Sequence, residues 1–131
     1  VDIVIDDGGH TVKQQNTTFD EVYENVRAGG VYLVEDLHTN YWKEFGGGLH
    51  NRDTFVERSK GLVDQLYAWY SRDKKKLKVT EFTKTTPSIH FYDSIIVFEK
   101  NEVQEPTHKQ IGKPTISELE RWDYHSEGSS A

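Results

Sequence analysis

The chain has 131 residues, enough for one domain, and its 16 basic and 22 acidic residues give a formal net charge of −6, which argues against binding to a nucleic-acid backbone. The absence of cysteine excludes disulfides, zinc sites with thiolate ligands and cysteine nucleophiles. No apolar stretch approaches the ~20 residues of a membrane-spanning helix and no signal peptide is visible, so we expect a cytoplasmic protein without membrane or nucleic-acid partners.

A strand, a helix and a second strand are predicted at the start of the chain. Val1–Ile5 is a short, mostly β-branched run that precedes two glycines, which favours a buried strand. Apolar residues at helical spacing follow a Thr-x-x-Gln capping-box pattern and predict an amphipathic helix over Val12–Arg27. Gly29 and Gly30 mark the end of that helix, and Val31–Val34 is the second apolar run. A unit of this size is a βαβ crossover, which makes its two strands parallel.

A long loop, a second helix and a hairpin are predicted to follow. Residues 37–52 show no periodicity and form a loop of a length that is often functional. Thr54 is the predicted N-cap of the second helix. The core face of that helix is predicted to comprise Leu62, Val63, Leu66, Tyr67 and Tyr70. Leu77–Lys84 and Ile89–Lys100 are predicted to form an antiparallel hairpin, and Thr115–Trp122 a short terminal helix.

Each of the two parallel strands ends in an acidic pair, at Asp6-Asp7 and at Glu35-Asp36. Parallel strands deliver their carboxyl ends to one edge of a sheet, about 4.8 Å apart, where open α/β folds bind ligands. Converging carboxylates need a shared proton or a cation between them, and oxygen ligands suit a hard divalent cation such as Mg²⁺. His10, on the glycine turn after Asp7, is a candidate general base. The pattern predicts a metal or substrate site, although either pair alone is more often a helix cap or a turn.

The long loop contains aromatic residues and histidines that suit an organic substrate. Tyr41, Trp42 and Phe45 are candidates for the lining of an apolar pocket, and Tyr41 and Trp42 are the predicted substrate contacts. An alternative role for the same rings is to pin the loop to the core. His38 and His50 lie near the predicted site and are weaker candidates for contact with a substrate.

Four segments of the chain carry a family resemblance: DIVIDDGGH, VRAGGVYLVEDLHTNYW, FGGG and SIHFYDSIIVFEK. Together they resemble the C-terminal half of class I S-adenosylmethionine-dependent methyltransferases, and among these the metal-dependent sugar O-methyltransferases of macrolide biosynthesis. The resemblance implies an α/β fold, the C-terminal half of a Rossmann-like sheet, with two parallel strands plus an antiparallel hairpin and flanking helices. It also implies that residues 1–113 form a partial catalytic domain and that residues 114–131 form a C-terminal helix and tail.

The resemblance also implies a role for each residue of the predicted site. Asp7, Glu35 and Asp36 would bind Mg²⁺, and Asp6 and Asp7 would contact the cofactor. His10 would act as the base toward a sugar hydroxyl. The implied activity is methyl transfer from S-adenosylmethionine to a hydroxyl of a sugar or of a glycosylated natural product.

One part of the family pattern is missing from the sequence. The glycine-rich turn and the acidic residue that hold the cofactor in such enzymes are not found in this chain, which has no methionine and starts within an apolar run. We therefore expect a piece of a longer protein, which on its own is inactive and binds the cofactor weakly. An apolar edge exposed along Val1–Asp6 would then favour a homo-oligomer.

Two other hypotheses remain open at this point. The first is a Mg²⁺-dependent phosphoryl-transfer domain, in which Lys84 or Lys100 would contact the phosphoryl group. The second is a non-catalytic, truncated domain of the methyltransferase type.

Overall fold

The computed structural model describes residues 1–113 and residue 115. Its helices and strands are, in chain order, β1 (Ile3–Asp6), α1 (Val12–Val22), β2 (Val31–Val34), α2 (Phe55–Leu66), α3 (Glu81–Thr85), β3 (Ser88–Tyr92) and β4 (Ile95–Glu99). None of these helices is both long and apolar enough to cross a bilayer. The predicted terminal helix over Thr115–Trp122 and the tail after it lie outside the described residues, apart from residue 115.

The strands of the described chain form one four-stranded sheet in the order β1-β2-β4-β3. β1 and β2 are parallel, whereas β4 runs antiparallel to both β2 and β3. The predicted α/β class, with two parallel strands and an antiparallel hairpin, is confirmed. In this register Asp6 lies beside Val34, and Val34 lies beside Ile96. The carboxyl ends of β1 and β2 therefore lie at the same end of the sheet as the turn between β3 and β4.

A cluster of aromatic rings forms the core on one face of the sheet. Phe19 of α1 stacks on Tyr23 with ring centroids 4.6 Å apart and meets Phe98 of β4 at 5.0 Å. Phe55 of α2 and Tyr32 of β2 each meet the Phe19 ring edge-on at 5.3 Å. Such aromatic pairs contribute about 0.5–1.5 kcal/mol each beyond the area that they bury. Because these rings come from two helices and two strands, they hold α1 and α2 against the sheet.

β1 is the outermost strand of the sheet, and its outward side chains are exposed. Ile3 and Ile5 are 63% and 60% exposed, whereas Val4 packs against the core and Asp6 is buried. In the described chain this strand is therefore not buried on both sides, and the apolar edge predicted along Val1–Asp6 is exposed as expected. The reason is that β1 has a neighbouring strand on one side only, and that nothing among the described residues covers Ile3 and Ile5.

Both long helices begin at the predicted caps but end earlier than predicted. The Thr11 side chain accepts a hydrogen bond from Gln14 N, which completes the predicted capping box, and α1 changes to a 3₁₀ turn after Val22. The predicted core face of α2 is wrong at Tyr67 and Tyr70, which lie beyond the helix and are exposed. The buried side of α2 runs instead along Phe55, Ser59 and Leu62, at the spacing i, i+4, i+7.

The predicted strand over Leu77–Lys84 is also wrong, because α3 begins within it. Thr80 caps this helix, and its hydroxyl accepts a hydrogen bond from Thr83 N. The hairpin lies wholly within residues 88–99 and turns at Asp93 and Ser94, where Ser94 has a φ of 59°. Asp and Ser are common in turns. The observed turn therefore lies inside the segment predicted as the second strand, and not before it.

Candidate active site

One acidic residue from each pair converges with a histidine at the carboxyl edge of the parallel strands. Asp7, His10 and Asp36 each offer a ligand atom, and these atoms lie within 4.8 Å of one another. Asp7 is exposed, while His10 and Asp36 are half-buried. His10 Nε2 lies 3.3 Å from Asp36 Oδ2. We refer to Asp7, His10 and Asp36 as the acidic–histidine cluster.

The backbone of Asp36 has an unusual conformation that distinguishes it from Glu35. Asp36 adopts left-handed helical angles, φ 55° and ψ 38°, which cost a non-glycine residue roughly 1–2 kcal/mol. Both residues lie beyond β2, which ends at Val34. The carboxylate of Glu35 is not part of the cluster formed by the described residues. Its role as a metal ligand stays a prediction.

Asp6 is buried and its carboxylate is occupied by internal donors. Its Oδ2 accepts a hydrogen bond from the Tyr32 hydroxyl at 3.2 Å, and its Oδ1 accepts one from Gly8 N at 3.4 Å. Burial and the adjacent Asp6 carboxylate together raise the pKa of Tyr32 far above its usual range. Asp6 thus anchors the end of β1 in this structure, and its contact with a cofactor stays a prediction.

Thr39 links the two loops that carry the cluster, a role that the sequence did not indicate. Its hydroxyl lies 2.7 Å from the carbonyl oxygen of His10 and 3.1 Å from that of Asp36. The side chain is buried, at 3% exposure, whereas His10 and Asp36 are half-buried. Thr39 therefore holds the loop after β1 against the turn after β2.

A buried pair of amide side chains holds the same turn in place. The Asn40 amide nitrogen donates to Gln15 Oε1 at 2.6 Å, and Gln15 Nε2 donates to the Glu35 carbonyl at 3.5 Å. Asn40 Oδ1 accepts from Val56 N at 3.0 Å. Gln15 and Asn40 are each 1% exposed. This network joins α1, the turn after β2 and the start of α2, and so fixes the backbone that presents Asp36.

The aromatic residues of the long loop lie in a compact series of turns. Tyr41 and Trp42, the predicted substrate contacts, are 48% and 45% exposed, and the Trp42 ring lies edge-on to His38 at 5.0 Å. Gly47 packs against the backbone of Asn40 so closely that a Cβ at this position would overlap the Asn40 carbonyl. The loop is thus built around Asn40, with Tyr41 and Trp42 left accessible. Their contact with a substrate stays a prediction.

Comparisons with known proteins connect this site to a group of methyltransferases. No protein-family model matches the chain. The chain is 52% identical over 102 residues to demethylmacrocin O-methyltransferase of Streptomyces fradiae, a match that covers 76% of this chain and 26% of that protein. It is 37% identical over 103 residues to 8-demethyl-8-alpha-L-rhamnosyl tetracenomycin-C 2'-O-methyltransferase of Streptomyces olivaceus, with 76% and 27% covered. The chain thus spans about a quarter of the length of these curated relatives.

The fold matches a solved methyltransferase over the same share of the chain. The MycE methyltransferase from the mycinamycin biosynthetic pathway, solved in complex with Mg, SAH and mycinamycin VI, aligns with a TM-score of 0.68 and 29% identity. The alignment covers 76% of this chain and 26% of the MycE chain. Sequence and fold therefore identify this chain as part of a class I S-adenosylmethionine-dependent methyltransferase fold, related to the sugar O-methyltransferases of the macrocin and mycinamicin type.

Proposed function

We propose that this chain forms the metal-binding and catalytic side of an O-methyltransferase active site that methylates a sugar hydroxyl of a glycosylated natural product. The observation that carries the proposal is the convergence of Asp7, His10 and Asp36 at the carboxyl edge of two parallel strands. The 52% identity to demethylmacrocin O-methyltransferase supports the reaction class. In this proposal residues 1–113 form the catalytic part, and residues 114–131 a separate C-terminal segment.

The acidic–histidine cluster suits a hard divalent cation. One carboxylate oxygen of Asp7 and one of Asp36 lie within 4.8 Å of each other, near enough for both to reach one ion, and oxygen donors are the ligands that Mg²⁺ prefers. We assign the cation to Asp7 and Asp36, with Glu35 as a third carboxylate next to them in sequence. When bound, Mg²⁺ lowers the pKa of a hydroxyl that coordinates it. The Mg in the MycE structure supports this choice of ion.

His10 is the proposed base. Its Nε2 faces Asp36 Oδ2 at 3.3 Å, so in the neutral ring the proton lies on Nε2, from which it can be donated to Asp36. Nδ1 is then the nitrogen with a lone pair, and it accepts the proton of the substrate hydroxyl. Asp36 stabilises the imidazolium that results, and Thr39 keeps the His10 backbone in place.

S-adenosylmethionine is the proposed methyl donor, and it supplies a methyl group on a positively charged sulfur. The SAH in the MycE structure is the product that remains after such a transfer. Asp7, the exposed member of its pair, is the better placed of the two predicted cofactor contacts because the Asp6 carboxylate is already occupied by Tyr32 and Gly8. We expect the chain on its own to bind this cofactor weakly and to show no turnover.

The structure does not favour the phosphoryl-transfer alternative. Lys100 is buried, and its Nζ donates to the Tyr23 carbonyl at 2.6 Å. Lys84 forms an ion pair with Glu81 within α3. Both lysines lie near the open end of the hairpin, where Ser88 pairs with Glu99. The acidic–histidine cluster lies at the other end of the sheet. Neither is placed to contact a phosphoryl group there.

A chimera tests the proposed function directly. Residues of this chain replace the matched 102 residues of demethylmacrocin O-methyltransferase, and methyl transfer from labelled S-adenosylmethionine to demethylmacrocin is measured. We expect the chimera to be active and to lose activity with Asp7→Asn or with a chelator. Asp64→Asn, an exposed change on α2, is the matched control and is expected to leave activity unchanged. A folded chimera that binds the cofactor but transfers no methyl group would instead support the non-catalytic alternative.

A further inference from the structure

A reactive pair of residues lies in the glycine turn that follows β1. Among the aspartate and asparagine residues of the sequence, Asp7 is the one that precedes a glycine. The side chain of an aspartate can be attacked by the backbone nitrogen of the next residue. This reaction is fastest when the next residue is glycine, because no Cβ hinders the approach. The sequence therefore singles out Asp7 and Gly8 as a site of spontaneous chemical modification.

The structure leaves this pair open to reaction. Asp7 and Gly8 are both exposed, and they lie in the connection between β1 and α1, outside any helix or strand. Gly8 N donates to Asp6 Oδ1 at 3.4 Å, which is longer than the ~2.9 Å that is usual for such a bond. The peptide bond between Asp7 and Gly8 is therefore held only weakly by its surroundings.

The position of the Asp7 carboxylate is unfavourable when no cation is bound. One of its oxygens lies within 4.8 Å of a carboxylate oxygen of Asp36. Two negative charges at this separation repel each other unless a cation or a proton lies between them. In the cation-free chain this repulsion favours rotation of the exposed Asp7 side chain away from Asp36. Its other rotamers then become populated, including those that bring Cγ close to Gly8 N.

We propose that Asp7 converts to isoaspartate in the cation-free chain, and that a bound divalent cation suppresses this reaction. Gly8 N attacks Asp7 Cγ, and the new bond closes a succinimide ring. One water molecule leaves, formed from the hydroxyl of the carboxyl group and the hydrogen of the Gly8 amide. Another water molecule then opens the ring. Opening at the backbone carbonyl carbon of Asp7 gives isoaspartate, and opening at Cγ gives aspartate again, so the reaction needs no reactant besides water.

The protection by a cation rests on the proposed function, in which Asp7 is a metal ligand. A carboxylate bonded to the ion is held toward Asp36 and away from Gly8 N, and its bonded oxygen does not leave as water. In isoaspartate the chain runs through Cγ, so the backbone is longer by one carbon and the carboxylate is attached directly to Cα. The modification therefore displaces one carboxylate of the acidic–histidine cluster, and occupancy by the cation preserves it.

Peptide mapping of the whole chain tests this proposal. The chain is incubated at neutral pH with EDTA or with excess Mg²⁺ and digested with trypsin, and isoaspartate is located by mass spectrometry with electron-transfer fragmentation. We expect isoaspartate to accumulate at Asp7 with EDTA and to form severalfold more slowly with Mg²⁺. Asp93 is the internal control. It is also exposed, but it precedes Ser94, which has a Cβ and accepts hydrogen bonds from Leu37 N and His38 N. No more isoaspartate at Asp7 than at Asp93 would overturn the proposal.

Gly8→Ala tests the role of the glycine. A Cβ on Gly8 would meet Asp6 Oδ1 at 3.4 Å, an ordinary contact, and Gly8 is not among the glycines with positive φ, so the variant is expected to fold. Gly9 does not offer this test, because a Cβ there would overlap the Gln14 side chain. The added methyl group hinders the attack, and we expect isoaspartate at Asp7 to form severalfold more slowly with EDTA. An unchanged rate in a variant with native core NMR signals would contradict the proposed reaction.

A separate titration distinguishes failure of this proposal from failure of the proposed function. Mg²⁺ alone is added to the fresh chain, and the NMR signals of Asp7 and Asp36 are followed. Shifts of these signals without isoaspartate in either incubation would overturn the modification and leave the metal site standing. Isoaspartate that forms at equal rates with Mg²⁺ and with EDTA would overturn the protection, and it would also count against Asp7 as a metal ligand.

Discussion

At the scale of single residues, Thr39 is the side chain on which the geometry of the candidate site depends most. Thr39→Val keeps the shape and removes the hydroxyl that contacts the His10 and Asp36 carbonyls. We expect a loss of about 1 kcal/mol in the free energy of unfolding, because two partly buried carbonyl acceptors lose their donor. Urea unfolding measures this loss, and an NMR titration measures the Mg²⁺ affinity, which we expect to fall.

Thr18→Val is the matched control for this prediction. Thr18 donates to the Gln14 carbonyl on the surface of α1, so its removal is expected to change stability by less than about 0.5 kcal/mol and to leave Mg²⁺ affinity unchanged. Equal effects of the two variants would show that Thr39 does not hold the site together.

The carboxyl group of Glu99 allows a prediction about how stability depends on pH. The hydrogen bond from Ser88, followed by the nearby His90, holds the pKa of the Glu99 carboxyl below its usual range. A carboxyl whose pKa is lower in the folded state stabilises the fold above its unfolded pKa, and this contribution is lost as the pH falls through the folded value. Ser88→Ala is expected to raise the pKa of Glu99, measured by NMR titration. Glu57, whose pKa is lowered by Lys60, is the internal control and should not change.

The residues of the site differ in how far the sequence reveals them. Asp7, His10 and Asp36 could be predicted because they follow apolar runs whose parallel pairing fixes where they meet. Gln15 carried a weaker signal, since it is a polar residue on the apolar side of α1. Thr39 carried no signal in the sequence, because the His10 carbonyl that it contacts is distant in sequence.

At the scale of secondary structure, the free edge of β1 has a consequence for association. Val31 N donates to the Asp2 carbonyl and Glu35 N to the Asp6 carbonyl. In a parallel pair alternate residues bond to the same neighbour, so the backbone groups of Ile3 and Ile5 face the open side. An apolar strand with open hydrogen-bonding groups favours pairing with a second copy of the chain.

We therefore propose self-association of the chain through β1. Ile5→Lys is expected to shift the chain toward monomer, because a charge would be placed in the paired edge, and sedimentation velocity over a range of concentrations measures the change. Ile111→Lys alters a residue that is 90% exposed and lies outside the strands of the sheet, and it should have no effect. A chain that stays monomeric at every concentration would contradict the proposal.

The elements also show where sequence patterns reach their limit. The βαβ unit was predictable because its strands and helix have local patterns and caps. The segment before the hairpin was not predictable in the same way. Leu77 and Val79 alternate with polar residues as in a strand, but the Thr80 cap, supported by a contact of Thr83 with Gln65, selects a helix. That contact is 18 residues distant in sequence and leaves no local signal.

At the scale of the whole molecule, the candidate functional residues lie together at one end of the sheet. The parallel pair delivers Asp7 and Asp36, the glycine turn delivers His10, and the antiparallel β4 returns the hairpin turn to the same edge. The opposite end of the sheet carries the buried Lys100, whose Nζ donates to the Tyr23 carbonyl. This arrangement places the acidic–histidine cluster and the β3–β4 turn at the same end of one sheet.

The central claim is that Asp7 and Asp36 bind one divalent cation beside His10. Mn²⁺ suits the same oxygen-rich sites as Mg²⁺, and it broadens the NMR signals of nearby amides. Added to the chain in small amounts, it is expected to broaden signals of residues 7–10 and of Asp36 first, with excess Mg²⁺ restoring them and Asp7→Asn abolishing the effect. Broadening centred on other acidic residues, or unaffected by Asp7→Asn, would contradict the account.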